Sequence, residues 1–325
     1  MFGQRQGNRG SIQMALPKSV LAVLVAMSVT AAWAEGSPMP DEIAWKLQEL
    51  GQVIEPPKTA ALYAPLQEKE PYQGVKTERD VKYGAADRNL LDVFMPETAP
   101  SPRPVLIFVH GGGFIAGNKR GPGSPFYDNI MLWAVKNGFV GVNMTYRLAP
   151  QSPWPAADRS SAAVRWVTDN IASRGGEPAR IYLMGHSAGA IHVATYLAHP
   201  EFWGPKGNGL AGAIIVSALY DMTSAPPTDA TKAYFGADPA TYQERSSFSG
   251  LLKTRTPFMI ASAELDPPPF VSQFNLLKDS LCKSEHGCVR SFMLPQHSHM
   301  SEVYSINTAD TRLTDQILDF VKTGK

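Results

Sequence analysis

The sequence predicts an α/β fold, a mostly parallel central sheet with helices on both faces and a small cap. Three observations carry that reading. Short apolar runs alternate with longer amphipathic ones from residue 105 to residue 321. One run, Val105-Leu106-Ile107-Phe108-Val109, is apolar throughout, as a central strand covered on both faces must be. Finally, Gly185-His186-Ser187-Ala188-Gly189 lies between a strand-like run, Ala179–Met184, and a helix-like run, Ala190–Ala198. A serine in a tight, glycine-flanked strand-to-helix turn is strained, and its hydroxyl is lifted out at the strand's C-terminal edge.

The chain has 325 residues, 44% of them hydrophobic, and a net charge of +1. That is enough for one large domain with a substantial core. The near-neutral balance gives no case for nucleic-acid binding. Residues 1–34 read as a secretory signal. Arg5, Arg9 and Lys18 supply a basic start, Val20 to Val29 an apolar stretch, and Ala32-Trp33-Ala34 a cleavage site. Ten apolar residues are short for a membrane span, so export to the periplasm or beyond is expected, with no stable membrane insertion.

Residues 35–74 are Pro-rich and weakly helical over Asp41–Leu50, a leader or part of a cap. The catalytic domain is expected over 75–325. Val75–Tyr83 and Asn89–Met95 predict an edge hairpin, followed by a four-proline linker, 96–104, that does not fit inside a sheet. The Val105–Val109 strand runs into His110-Gly111-Gly112-Gly113-Phe114. Three glycines directly after a core strand let backbone N–H groups approach a developing oxyanion. No Gly-Lys-Ser/Thr follows, which argues against a phosphate loop. His110 is expected to pin the loop.

Tyr127–Lys136 and Ala156–Ala172 read as helices, with a strand at Phe139–Met144 and a Pro-rich loop to Pro155 between them. Asp158 is expected to cap the second helix. After Ser187, the Ala188 N–H stands at a helix start, where no intrahelical acceptor exists. A strand at Ala211–Ser217 leads into 222–256, a Pro-, Thr- and Ser-rich insertion placed where a lid would shape a pocket. Strands at Pro257–Ala263 and Val289–Leu294 and helices at Phe270–Leu281 and Ala309–Val321 complete the pattern. Cys282 and Cys288, with five residues between them, are expected to form a disulfide in an oxidising compartment. A zinc site with His286 lacks a fourth ligand.

A serine nucleophile needs a base, and the base an orienting acid. The turn resembles that of the α/β-hydrolases, in which the chain order is Ser, acid, His. Asp266, after a strand and before three prolines, is the expected acid, with Asp221 and Glu264 as rivals. The histidine must fall between the last strand and the last helix. His299 is the expected base and His297 the alternative. His186, His192, His199 and His286 lie on the wrong elements, and His186 is expected to point away from the nucleophile.

His110-Gly111-Gly112-Gly113-Phe114, Tyr146-Arg147-Leu148-Ala149-Pro150 and Gly185-His186-Ser187-Ala188-Gly189 together resemble the α/β-hydrolase superfamily over residues 75–322. The first two resemble its hormone-sensitive-lipase-like esterase/lipase branch, which commonly has Asp where His186 stands. The Gly-His-Ser-Ala-Gly-Ala run is more like kynurenine formamidases and feruloyl-esterase-like carboxylesterases. His299, with Met300 and then Glu302 two places on, is similar to that branch's ending. The resemblance implies Ser187 as nucleophile, His299 as base, Asp266 as acid, and the Gly112, Gly113 and Ala188 N–H groups as the oxyanion hole. It implies a serine carboxylesterase working through an acyl-enzyme, with no cofactor and no metal; residues 222–256 are too polar and Pro-rich for a large apolar lid, so small or aromatic esters are expected. The alternatives are aryl formamide or amide hydrolysis on the same residues, and a non-catalytic binding protein.

Overall fold

A computed structural model gives the coordinates. It describes residues 1–4, 7, 36–98, 102–155, 157–285 and 287–324. Residues 5, 6 and 8–34 of the expected signal sequence and His286 lie outside the described residues, as does the side chain of Asp158. By its internal contacts the chain divides after Trp33, and the fold described is that of the second unit, Ala34–Lys325.

Eight strands form one sheet in the order β1-β2-β4-β3-β5-β6-β7-β8. These are β1 Val75–Lys82, β2 Leu90–Pro96, β3 Arg103–Val109, β4 Val140–Met144, β5 Gly176–His186, β6 Gly212–Val216, β7 Phe258–Leu265 and β8 Arg290–Ser298. The β1–β2 hairpin is antiparallel and sits at one edge, and β2 runs antiparallel to β4. Every pairing from β4 onward is parallel. Pro96 and Pro104 belong to strands after all, against the expected linker. Each sits near a strand end, Pro104 where the β3–β5 register slips, so no ladder N–H is lost.

The helices are α1 Asp41–Leu50, α2 Pro56–Tyr63, α3 Asp128–Lys136, α4 Ala157–Asn170, α5 Ala188–Ala198, α6 Asp229–Phe235, α7 Tyr242–Arg245, α8 Phe248–Leu251, α9 Pro268–Lys283, α10 Ser301–Tyr304 and α11 Arg312–Thr323. Among the described residues, none is long and apolar enough to cross a membrane. The apolar run in β3 has the expected cause. Val105, Ile107 and Val109 pack with Val164 and Val167 of α4 and Ala190 and Val193 of α5. Leu106 and Phe108 pack on the other face with Ile130 of α3, Leu47 of α1 and Ile317 and Phe320 of α11. Alternation across a pleated strand divides five buried residues between two cores. The order reverses around β3, since β4 lies on one side of it and β5 on the other. At such a switch point, loops leaving the C-terminal strand ends diverge and leave a crevice.

Cys282, near the end of α9, and Cys288, just before β8, are joined in a disulfide. The three prolines after Asp266 do more than stiffen a loop. Pro268 and Pro269 open α9, where a missing N–H costs nothing.

Candidate active site

Ser187 occupies the turn between β5 and α5 at φ 57 and ψ −124. A non-glycine residue there is strained, and strain of this kind persists only where its surroundings enforce it. The flanking glycines are that enforcement. A β-carbon on Gly185 would lie 2.4 Å from the Gly189 carbonyl oxygen, and one on Gly189 would lie 2.0 Å from that of Val109 in β3. The Ser187 N–H is tied to the Val216 carbonyl at 3.0 Å. Strand, helix and turn therefore meet at closest backbone approach, and the serine side chain is left facing the crevice.

The glycine loop after β3 lies beside it. Gly112 has φ +116, and a β-carbon there would come within 2.2 Å of the Ala116 carbonyl oxygen. Gly113 also has positive φ, at +59. His110 holds the loop: its Nδ1 lies 2.6 Å from the Gly111 carbonyl, and its ring stacks on Tyr146 at 4.4 Å. The Tyr146 hydroxyl donates to the His110 carbonyl at 3.0 Å. Burial lowers the His110 pKa to about 4, so the ring is a neutral donor to the Gly111 carbonyl.

Asp266 follows β7 and is fully buried. Its Oδ1 lies 2.7 Å from His299 Nδ1. Its Oδ2 accepts from Ser217 Oγ at 2.5 Å, Ser262 Oγ at 2.6 Å and the Ala263 N–H at 2.9 Å. Burial alone would raise its pKa. His299 and the two hydroxyls outweigh burial, so the carboxyl is held below its ordinary range and stays ionised. With Nδ1 engaged as donor, His299 Nε2 is the basic nitrogen, and it has no hydrogen-bond partner among the described residues.

Ser187, His299, Gly112, Gly113 and Ala188 share the wall of one cavity of about 640 Å³. Phe114, Tyr127, Ile191, Leu219, Phe270 and Tyr304 give it an apolar lining. Ile54 and Pro56 of the leader, and Pro226, Thr228, Ala230 and Thr231 of the insertion, close its rim. α6 presents the latter group, its start fixed by reciprocal bonds between Thr228 and Thr231.

The structure separates the rivals. Asp221 accepts from the Thr223 N–H and hydroxyl in a local turn, and Glu264 is exposed and binds the Gln296 N–H. His297, the alternative base, is buried. Its Nδ1 lies 3.0 Å from Ser301 Oγ, and its Nε2 lies 3.0 Å from Asp310 Oδ2 without hydrogen-bond alignment. His186 departs from expectation too. It reaches the cavity wall, with Nε2 2.7 Å from the His299 carbonyl and its ring 4.7 Å from that of His299. Burial and the nearby His299 lower its pKa to about 3, so it is a neutral donor that fixes the backbone of His299. His192 packs among Phe114, Tyr146 and Tyr234, and His199 ends α5 against Glu201.

Sequence reasoning missed Ser217, Ser262 and the burial of Glu302. The available signal was position: Ser217 ends a buried strand at the same sheet edge as Ser187.

The prolyl oligopeptidase family model matches residues 161–324, just over half of the chain, and the BD-FAE model matches residues 91–201. The chain belongs to the α/β-hydrolase family of esterases and lipases. Among its α/β-hydrolase relatives, Esterase LipQ of Mycobacterium tuberculosis is 27% identical over 264 residues, covering 74% of this chain and 61% of LipQ. Carboxylesterase NlhH of M. tuberculosis is 39% identical over 114 residues, 34% of each chain. The chain thus spans less than two thirds of the length of either. Esterase B from Lactobacillus rhamnosis, solved with a tributyrin phosphonate, superposes with a TM-score of 0.66. It is 20% identical, with 88% of this chain and 96% of that one covered, a likeness of fold.

Proposed function

We propose that this α/β-hydrolase is a serine carboxylesterase acting on small or aromatic esters through an acyl-enzyme. The observation that carries the reading is the 2.7 Å pairing of Asp266 with His299 Nδ1, which leaves Nε2 basic on the wall that Ser187 shares. His299 takes the Ser187 proton as the hydroxyl attacks the carbonyl carbon. The new oxyanion is received by the Gly112, Gly113 and Ala188 N–H groups, each such donor being worth roughly 10²–10³ in turnover. His299 then returns the proton to the leaving alcohol, and the same base activates water for deacylation. The apolar lining favours acyl or aryl groups, and 640 Å³ suits a compact substrate. LipQ and NlhH, both named as esterases, support the reaction class. Amide or aryl formamide hydrolysis is a second reading, supported by the prolyl oligopeptidase match over 161–324.

Residues 1–34 would direct export and be removed after Ala34, and the Cys282–Cys288 disulfide accords with an oxidising compartment. N-terminal sequencing of the secreted or periplasmic protein should begin at Glu35.

Ser187→Ala should lower hydrolysis of a short p-nitrophenyl ester by about 10⁴-fold or more while the folded state persists. Retention of more than a tenth of the activity would remove the proposal. A substrate panel that included anilides and N-formyl arylamines would separate the two readings.

A further inference from the structure

Ser217 Oγ stands 2.5 Å from Asp266 Oδ2 and 2.6 Å from Glu302 Oε2. A hydroxyl carries a single hydrogen and can donate to only one of them. Asp266 is surrounded by donors and suited to a negative charge. Glu302 is not. It is fully buried, and its Oε1 has no hydrogen-bond partner among the described residues. A partnerless neutral carbonyl oxygen costs far less in such a place than a partnerless carboxylate oxygen.

Neither of the two imidazoles beside Glu302 donates to it. A ring nitrogen of His299 lies within 4.8 Å of a Glu302 oxygen, but its Nδ1 is engaged with Asp266. His186 of β5 comes within 3.6 Å, but its Nε2 proton is committed to the His299 carbonyl. Tyr220, beyond β6, is buried with its hydroxyl unpartnered, and Asp266, beyond β7, is an anion. Two ionised carboxylates on one hydroxyl, both out of water, would repel strongly.

We propose that Glu302 is a neutral carboxylic acid that donates its proton to Ser217 Oγ, so that Ser217 donates its own to Asp266. The chain Glu302–Ser217–Asp266–His299 makes Glu302 a positioning residue for the hydrolytic site, and this role rests on the esterase reading. No proton changes owner along it. Its effect is to fix the direction of the Ser217 hydroxyl, and through it the charge and orientation of Asp266. Burial, with Asp266 beside it, pushes the Glu302 carboxyl well above the usual carboxylate range. Ser217 itself sits at φ 51 just past the end of β6, a strained conformation held where the hydrogen-bond chain needs it.

The test has two arms. Infrared difference spectra, with ¹³C-labelled glutamate, should show the carbonyl stretch of a buried protonated carboxyl in the wild type at neutral pH. The band should be missing in Glu302→Gln. Its absence from the wild type overturns the proposal whether or not any ester is turned over, so this arm stands apart from the functional reading. In the kinetic arm, Glu302→Ala should lower kcat about tenfold at constant KM. Glu302→Gln, whose amide still donates to Ser217, should recover most of that loss. The acid limb of the pH profile should stay in place in Glu302→Gln, because one neutral group replaces another. A shift of that limb to lower pH by about one unit would mean that a negative charge had been removed, and would overturn the proposal. Where Glu302→Ala fails to fold, Glu302→Gln and the spectrum decide.

Discussion

Asp266 Oδ2 accepts three hydrogen bonds and Oδ1 faces His299 Nδ1 at 2.7 Å, so the two oxygens of one carboxylate have different surroundings. This asymmetry determines what Asp266→Asn would do. The amide nitrogen cannot sit at the Oδ2 position, against Ser217, Ser262 and the Ala263 N–H, which all need an acceptor. It must turn toward His299 and donate to Nδ1. The imidazole proton then moves to Nε2, and the base becomes a donor. The expected loss in kcat is about 10⁴-fold with the fold retained. A loss below tenfold would show that His299 does not depend on Asp266 for its tautomer.

His297 and His299 are two residues apart, both buried, and should differ in what they do to turnover. His297 lies between Ser301 and Asp310 at 3.0 Å on each side, away from the cavity wall. His297→Gln should cost about 1–3 kcal/mol of stability by removing the imidazole from between the Ser301 hydroxyl and the Asp310 carboxylate, with kcat within a few-fold of the wild type. His299→Gln should lower kcat at least a thousandfold, and by taking the imidazole from buried Asp266 should cost about 1–3 kcal/mol as well. Urea midpoints and ester turnover on both variants check the pair, and equal effects on turnover would contradict the assignment.

Much of this site was legible in the chain because its parts announce themselves locally. Three glycines after a five-residue apolar strand, and a serine between two glycines, are backbone requirements, and backbone requirements are written in sequence. The strands were legible for the same reason, since burial on both faces leaves Val105–Val109 without a polar residue. The support around Asp266 was not legible. Ser217 follows β6, Ser262 lies within β7 and Glu302 is in α10 after β8, and only the parallel stacking of β6, β7 and β8 brings them together. His186 was misread because a side chain's direction in a strained turn cannot be taken from its neighbour. For the leader the sequence left two readings open, a leader or part of a cap, because a Pro-rich stretch carries little periodic signal; Ile54 and Pro56 stand on the cavity wall.

Acid should destabilise the protein through two histidines that do no chemistry. His110 and His186 are held neutral, with pKa values lowered from 6.5 to about 4 and about 3. In the unfolded chain both take up a proton near pH 6.5, so below that pH the unfolded state binds more protons than the folded one. Their contribution is complete above pH 6.5 and is lost as pH falls toward 4 and 3, by up to about 1.4 kcal/mol per unit for each group. Urea midpoints measured from pH 7 down to pH 4.5 should fall steadily. His186→Gln, which cannot charge, should flatten the slope, and an unchanged slope in that variant would rule out His186 as a source.

Glycine at 189 is a packing requirement between α5 and β3, and it separates from glycine's other uses by a paired substitution. In Gly189→Ala the new methyl would stand 2.0 Å from the Val109 carbonyl oxygen and 2.6 Å from that of His110. Neither can retreat, because Val109 is paired on both sides in the sheet. The helix would have to move, taking the Ser187 turn and the Ala188 N–H with it. Gly121→Ala is the control: its nearest neighbour would be Ser124 Cβ at 3.6 Å, ordinary contact at an unstrained φ. Gly121→Ala should stay within about 0.5 kcal/mol of the wild type. Gly189→Ala should cost roughly 3 kcal/mol or more, or fail to fold. A folded Gly189→Ala with full ester turnover would show that α5 can slide over β3, and that the elbow does not depend on the tight contact described for it.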